Sequence, residues 1–244
     1  MILTSDVSTS AGLDKYRKLF PSNYIDVGIA EQNLIGIATG LASAKYKVIT
    51  TTFSPFQTLR CCEQIKVNLG YMKQNVIMVG LASGFVLGSL GFTHACIEDV
   101  GVMRSIPNIN IISPADSLEL VKTLQAVMEV DKPFYIRLTN GSNCPRVYNS
   151  DYNFEIGKSI ELKSGDDVTF FCTGPLVYNC LEAAKILERD NIKASVVNMH
   201  TIKPIDEDMI LEKIKKNKII FTAEEHNIIG GLGSAVAEVI STQK

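Results

Sequence analysis

Two α/β domains, each a doubly wound parallel sheet, are the fold this sequence predicts. Short β-branched apolar runs alternate with longer amphipathic ones along nearly all 244 residues. The alternation halts once, in a polar, turn-forming stretch from Thr139 to about Gly165 that includes Gly141, Ser142, Asn143 and Pro145. Beyond it the same strand–helix order resumes. The division falls between residues 1–145 and 146–244, the second domain being short for its type. No internal repeat or low-complexity tract interrupts either half.

In the first half, residues Asp26 to Asn33 pass from a loop into a helix, whose buried face is marked by Leu34, Ile35, Ile37, Ala38 and Leu41 at helical spacing. Val48 to Phe53 is β-branched and reads as a strand, Gln57 to Leu69 as a helix, and Val76 to Gly80 and Ile109 to Ser113 as buried strands. Asp116 is placed to cap a helix running through Val130, and Phe134 to Leu138 returns as a strand. In the second half the order is strand Val168 to Cys172, helix Leu176 to Arg189, strand Ala194 to Asn198, helix Asp206 to Lys216, strand Ile219 to Ala223 and helix Gly231 to Ser241.

Composition narrows the function. With 46% hydrophobic and 20% charged residues, the chain can bury one large core or two moderate ones. A net charge of −2 gives no electrostatic reason for a nucleic-acid or anionic-membrane partner. No run of about 18 apolar residues could span a membrane, and no basic-then-apolar N-terminus marks secretion, so the cytoplasm is the expected compartment. The six cysteines form no Cys-x-x-Cys pair and are expected to be mostly buried, reduced thiols.

The chemistry starts at Glu31. An acid at the first turn of a helix with an apolar face is drawn toward the interior. Without a cationic partner its pKa rises, so that it can share a proton with a bound base. Thiamin diphosphate (ThDP) requires such a carboxyl against its aminopyrimidine ring; the bland alternative is an acid that complements the helix dipole. Thr52-Phe53-Ser54-Pro55-Phe56 ends a strand where open α/β sheets present ligands, and the faces of Phe53 and Phe56 can stack on a flat heterocycle or simply pack the core. His94, in Gly91-Phe92-Thr93-His94, can donate to a substrate oxygen and move protons, or serve as a loop hydrogen-bonder. His200 and His226 form no metal-spaced cluster.

These pieces, in this order, resemble the pyrimidine-binding domain of the transketolase family, most closely the C-terminal subunit of split, two-chain transketolases. The resemblance runs from Ser5 to about Ile240. It is strongest over Asp26 to Asn33, Thr52 to Arg60, Gly91 to Pro107, Ser113 to Asp116 and Glu224 to Gly233. It implies a ThDP-dependent two-carbon transferase with Glu31 and His94 as catalytic residues, Glu31, Phe53 and Phe56 holding the pyrimidine, and His94 and Arg137 on a sugar or 2-oxo acid substrate. The Gly-Asp-Gly motif that serves Mg²⁺ in ThDP enzymes is absent from these 244 residues. A partner N-terminal subunit is therefore expected to supply the metal ligands, in a dimer of heterodimers, and the chain alone is expected to be inactive.

Departures from the family pattern qualify the substrate. Leu90 stands where an acid contacts a sugar hydroxyl, Ala82 where an earlier histidine falls, Asn140 where an arginine grips a sugar phosphate, and Leu59 where a further aromatic often sits. The ordinary pentose phosphates are thus in doubt. Gly230-Gly231-Leu232-Gly233 looks like a structural run rather than a dinucleotide motif. Both ends are shorter than usual in the family, as in a truncated product. Two alternatives stay open: a carboligase or 2-oxo acid dehydrogenase β-type subunit using a 2-oxo acid donor, and a non-catalytic interaction module.

Overall fold

In a computed structural model of the chain, residues 1–139, 144–217 and 219–242 are described. Asn140 and the linker residues Gly141, Ser142 and Asn143 lie outside them.

The first half supplies β1 (Ile2–Thr4), α1 (Asp14–Leu19), β2 (Tyr24–Asp26), α2 (Glu31–Ser43), β3 (Val48–Phe53), α3 (Ser54–Gln57), α4 (Cys62–Gln64), β4 (Val76–Leu81), α5 (Asp99–Ser105), β5 (Asn110–Ile112), α6 (Ser117–Met128) and β6 (Phe134–Arg137). The remainder gives β7 (Ile160–Lys163), β8 (Val168–Cys172), α7 (Leu176–Arg189), β9 (Ala194–Asn198), β10 (Thr201–Lys203), α8 (Glu207–Lys216), β11 (Ile219–Ala223) and α9 (Leu232–Ser241). One sheet runs β10-β5-β6-β4-β3-β1-β2 and the other β11-β8-β9-β7. All pairings are parallel except β10 on β5 and β7 on β9.

The inner strands of both sheets are covered on two faces, as their continuous apolar character requires, whereas the edge strand β11 leaves Ile219 and Phe221 half-exposed. Val76 and Met78 of β4 pack with Leu34, Ile35 and Ala38 of α2, whereas Ile77 and Val79 turn to the other face with Val127 of α6. In the second sheet Val196 joins Val177, Cys180 and Ala184 of α7, and its neighbour Val197 joins Ile210 of α8 and Val236 of α9. Asp116 caps α6 by accepting from the Glu119 amide at 2.9 Å. Cys61, Cys96, Cys172 and Cys180 are buried, and burial pushes the Cys61 and Cys96 thiols up to about 12, so both stay protonated near neutrality. No helix among the described residues is long and apolar enough to cross a membrane.

The expected helix over Gln57 to Leu69 is broken. Thr58 Oγ1 donates to the Ser54 carbonyl and Cys61 Sγ to that of Phe56, so side chains compete for acceptors that a regular helix would use. The chain then widens into a π-helical stretch, Ile65–Tyr71. Gly70 is required there, because a Cβ would come within 2.7 Å of Ile106 and 3.2 Å of the Pro107 carbonyl.

Each sheet ends in one antiparallel edge strand, and one of the two joins the halves of the molecule. β7 lies inside the stretch read as linker, and β10 follows His200, where the sequence indicates a polar turn. By pairing with β5, β10 carries the second half into the first sheet. Glu119 of α6 bonds across the same junction: its carboxylate accepts from the Asn198 side chain, the Tyr152 hydroxyl and the Ala115 amide. Burial raises its pKa, opposed by those hydrogen bonds.

His200 is fully buried, stacked on Phe154 at 4.4 Å, and burial lowers its pKa from 6.5 to about 4. The unfolded chain thus takes up a proton that the fold refuses, so this contribution is intact above pH 6.5 and fades as pH falls toward 4. Between pH 7 and pH 5 the fold should lose about 2 kcal/mol through this group, from about 1.36 kcal/mol per pKa unit. Urea midpoints across that range should fall more steeply for the wild type than for His200→Gln; parallel profiles would refute the assignment.

Candidate functional site

The loop ahead of α2 is held from two sides. Asp26 Oδ1 accepts from the Gly28 and Asp6 amides, each at 3.0 Å, and Ser5 Oγ donates to the Gly28 carbonyl while accepting from the Ala30 amide at 3.1 Å. Gly28 has φ of +72°, a conformation that glycine adopts without steric cost. The loop delivers Glu31 at the first residue of α2 with 4% of its surface exposed. The sequence alone assigns neither Ser5 nor Asp26 this part, although both lie within the region of family resemblance.

Phe53 ends β3, and the short helix α3, started by Pro55, swings Phe56 back toward it. Their rings meet edge to face at 6.3 Å. From the opposite side comes the loop turned by Gly91, at φ +78°. It places the His94 ring 5.3 Å from Phe56 and 6.4 Å from Phe53, with Nδ1 2.9 Å from Thr93 Oγ1. Residues from three separate segments thus meet at the C-terminal end of β3, where parallel sheets bind ligands.

Two expectations require correction. Glu31 has a cationic partner: Arg60 Nη1 lies 2.7 Å from its Oε2, and the guanidinium sits 4.0 Å from the centre of the Phe56 ring. The signal for Arg60 is its position four residues after Phe56, at the end of a stretch that carries the resemblance. Arg137, expected on the substrate, is only 2% exposed, and its guanidinium is consumed internally. Nε donates to Asp99 Oδ2 at 2.8 Å, Nη1 to Thr139 Oγ1 at 3.2 Å, and Nη2 to the Glu225 carbonyl at 2.7 Å and the Cys96 carbonyl at 3.4 Å. The Tyr135 hydroxyl lies 2.7 Å from the same Asp99 oxygen and 3.2 Å from Ser54 Oγ, tying this pair to the base of α3.

The other singled-out positions have separate surroundings. Leu59 and Leu90 are exposed, at 41% and 56%, and Ala82 follows β4 with φ of +51°. His226 is buried between the halves, accepting the Gly101 amide at 3.3 Å. The glycines after it serve α9: the Glu224 carboxylate accepts from the Leu232 and Gly233 amides at 2.8 and 2.9 Å, and a Cβ at Gly231 would collide with it. A carboxylate already occupies that helix terminus, which therefore offers no phosphate cradle.

The donor set fits the aminopyrimidine half of ThDP, with one buried carboxyl, two aromatic rings and an imidazole. Among the described residues no group of three or more His, Cys, Asp or Glu side chains is gathered to hold a metal ion.

Residues 1–145 match the family model of the transketolase pyrimidine-binding domain, and residues 157–244 that of the transketolase C-terminal domain. A 6-deoxy-6-sulfo-D-fructose transketolase subunit from Clostridium sp. strain MSTE9 is 37% identical over 98% of this chain and 74% of its own length. One of the subunits of an apulose-4-phosphate transketolase from Actinobacillus succinogenes is 38% identical over 98% of this chain and 76% of its own. Among solved structures, one described as a split-gene transketolase in an inactive β4 tetramer superimposes with a TM-score of 0.91 at 39% identity, covering 100% of this chain and 79% of that one. The chain belongs to the transketolase family, on the branch in which the pyrimidine-binding and C-terminal domains form a subunit of their own.

Proposed function

We propose that this chain is the C-terminal subunit of a ThDP-dependent enzyme that transfers a two-carbon ketol unit from a ketose-type donor to an aldehyde acceptor. The observation that carries the reading is the meeting of Phe53, Phe56 and His94 at the end of β3, with Arg60 joining the Phe56 ring to the buried Glu31 carboxyl. Residues 1–145 form the pyrimidine-binding domain and 146–244 the C-terminal one. A separate N-terminal subunit supplies the magnesium and diphosphate contacts, two copies of each chain assemble, and the enzyme works in the cytoplasm. The similarity to subunits of split transketolases supports this division of labour.

Glu31, Phe53 and Phe56 would hold the pyrimidine of ThDP, which when bound would supply the nucleophile and electron sink that carbon–carbon cleavage of a ketose needs. Glu31 shares a proton with the pyrimidine ring, and its burial keeps that exchange away from bulk water. Phe53 and Phe56 fix the plane of the ring. His94, at the open side of the aromatic pair, donates to the donor's carbonyl or hydroxyl oxygen and relays protons as the carbon–carbon bond breaks and the acceptor bond forms.

The donor is not an ordinary pentose phosphate. Leu90 offers no acceptor for a sugar hydroxyl, Ala82 has no imidazole, and Arg137 is buried in an ion pair, so these positions lack the polar grips of the general pattern. The two relatives above are named for 6-deoxy-6-sulfo-D-fructose and apulose 4-phosphate, which supports a specialised ketose here too. Steady-state kinetics on the two-subunit assembly tests this, with kcat/KM for xylulose 5-phosphate expected at least about tenfold below that of the best modified or unphosphorylated ketose, a gap of about 1.4 kcal/mol. Xylulose 5-phosphate with ribose 5-phosphate as the best pair would overturn the substrate assignment.

A further inference from the structure

Arg60 reaches Glu31 and Phe56, yet the proposed chemistry does not use it. Its guanidinium presents an N–H edge to Glu31 Oε2 at 2.7 Å while its flat face lies 4.0 Å from the centre of the Phe56 ring. A planar nitrogen heterocycle needs those same two contacts, a hydrogen bond to the buried carboxyl and a stack on the aromatic face. Both are held by the protein's own side chain.

The anchoring of Arg60 suits a removable occupant. Its backbone is fixed, the amide donating to the Pro55 carbonyl at 3.2 Å and the carbonyl accepting from Gln32 Nε2 at 3.1 Å. The side chain is 42% exposed, so the guanidinium can leave Glu31 for solvent without moving the loop. The solvated guanidinium lowers the cost of exchange, and an incoming ring that donates to Glu31 replaces the hydrogen bond it gives up. The buried member of the pair, Glu31, stays in place, covered by α2 and the Ser5–Gly28 loop.

We infer that Arg60 is an internal stand-in for the aminopyrimidine, closing the site in the free chain until the cofactor's ring displaces it from Glu31 and Phe56. The inference rests on the cofactor reading above and adds a gate to it. Affinity is then reduced by the fraction of time the gate is open: a contact closed about nine-tenths of the time weakens apparent binding about tenfold. The closed contact also keeps the buried carboxylate paired before the cofactor arrives.

The test is ThDP binding, with Mg²⁺, to the assembly co-expressed with the diphosphate-binding subunit, followed by calorimetry and stopped-flow for wild type, Arg60→Met and Arg60→Lys. Arg60→Met keeps the aliphatic stem and removes the guanidinium; it should bind about tenfold tighter and associate faster. Arg60→Lys keeps the charge without the flat face and should lie between, and it carries the test if the Met variant fails to assemble. Binding by wild type with unchanged or weaker binding by the variants overturns the gate and leaves the cofactor reading standing. Failure of all three folded assemblies to bind overturns both.

Discussion

Replacing Glu31 with Gln abolishes turnover and leaves the fold intact. Gln fills the same buried volume at the start of α2 and can still accept from Arg60, so nothing in the packing around Leu34 and Ile35 is disturbed. The ion pair that is lost has a half-exposed partner, which limits the cost in stability to about 1 kcal/mol or less. What an amide cannot do is exchange a proton with the ring it faces. General acid–base groups contribute roughly 10²–10⁴-fold, so kcat should fall by at least that range while Tm stays near the wild-type value. A Glu31→Gln assembly that retains near-normal kcat would remove Glu31 from the chemistry.

Removal of Arg137 is expected to have the largest effect on stability. Its partner Asp99 is fully buried, and Asp99 Oδ1 already lacks a hydrogen-bond partner. Arg137→Met strands that carboxylate along with the carbonyl of Glu225, whereas the Cys96 carbonyl keeps the Gly84 amide at 2.7 Å. Breaking a buried pair by deleting one member costs about 3–5 kcal/mol, because the remaining charge is left uncompensated. The double variant Asp99→Asn/Arg137→Met removes the stranded charge and should recover part of the loss. Urea unfolding of the three proteins checks this: a single variant within about 1 kcal/mol of wild type, or a double variant worse than the single, contradicts the buried-pair account. Through Tyr135 and Ser54 the damage should also reach α3, loosening Phe56 and weakening cofactor binding.

The parallel core was legible because its strands declare themselves. Val48–Phe53, Val168–Cys172 and Ala194–Asn198 are bounded as the β-branched runs indicate, since strands buried on both faces need continuous apolar character, and the run Ile219–Ala223 is bounded as expected although it forms a sheet edge with Ile219 and Phe221 half-exposed. The antiparallel edges were not. Thr201–Lys203 is three residues long beside His200, and Ile160–Lys163 is a half-buried four-residue strand with two charged residues; each is specified by its long-range pairing rather than by its own sequence. The break after Gln57 escaped for a related reason, as the apolar period continues while Thr58 and Cys61 divert the backbone hydrogen bonds.

At the site, residue types were legible and pairings were not. Glu31, Phe53, Phe56 and His94 could be singled out from their local context together with the family resemblance. That Arg60 reaches Glu31 across 29 positions, and that Arg137 turns inward to Asp99 across 38, depends on how β3, β6 and α5 meet. An arginine at a strand end reads the same in sequence whether it faces substrate or a buried acid.

Calorimetric titration of ThDP with Mg²⁺ into the chain alone, and into the chain co-purified with a diphosphate-binding subunit, tests the central claim most directly. Binding confined to the two-subunit assembly, and paired there with ketol transfer, is the predicted result. Turnover by the isolated chain, or a correctly folded two-subunit assembly that takes up no cofactor, would contradict a split ThDP enzyme with its site between subunits.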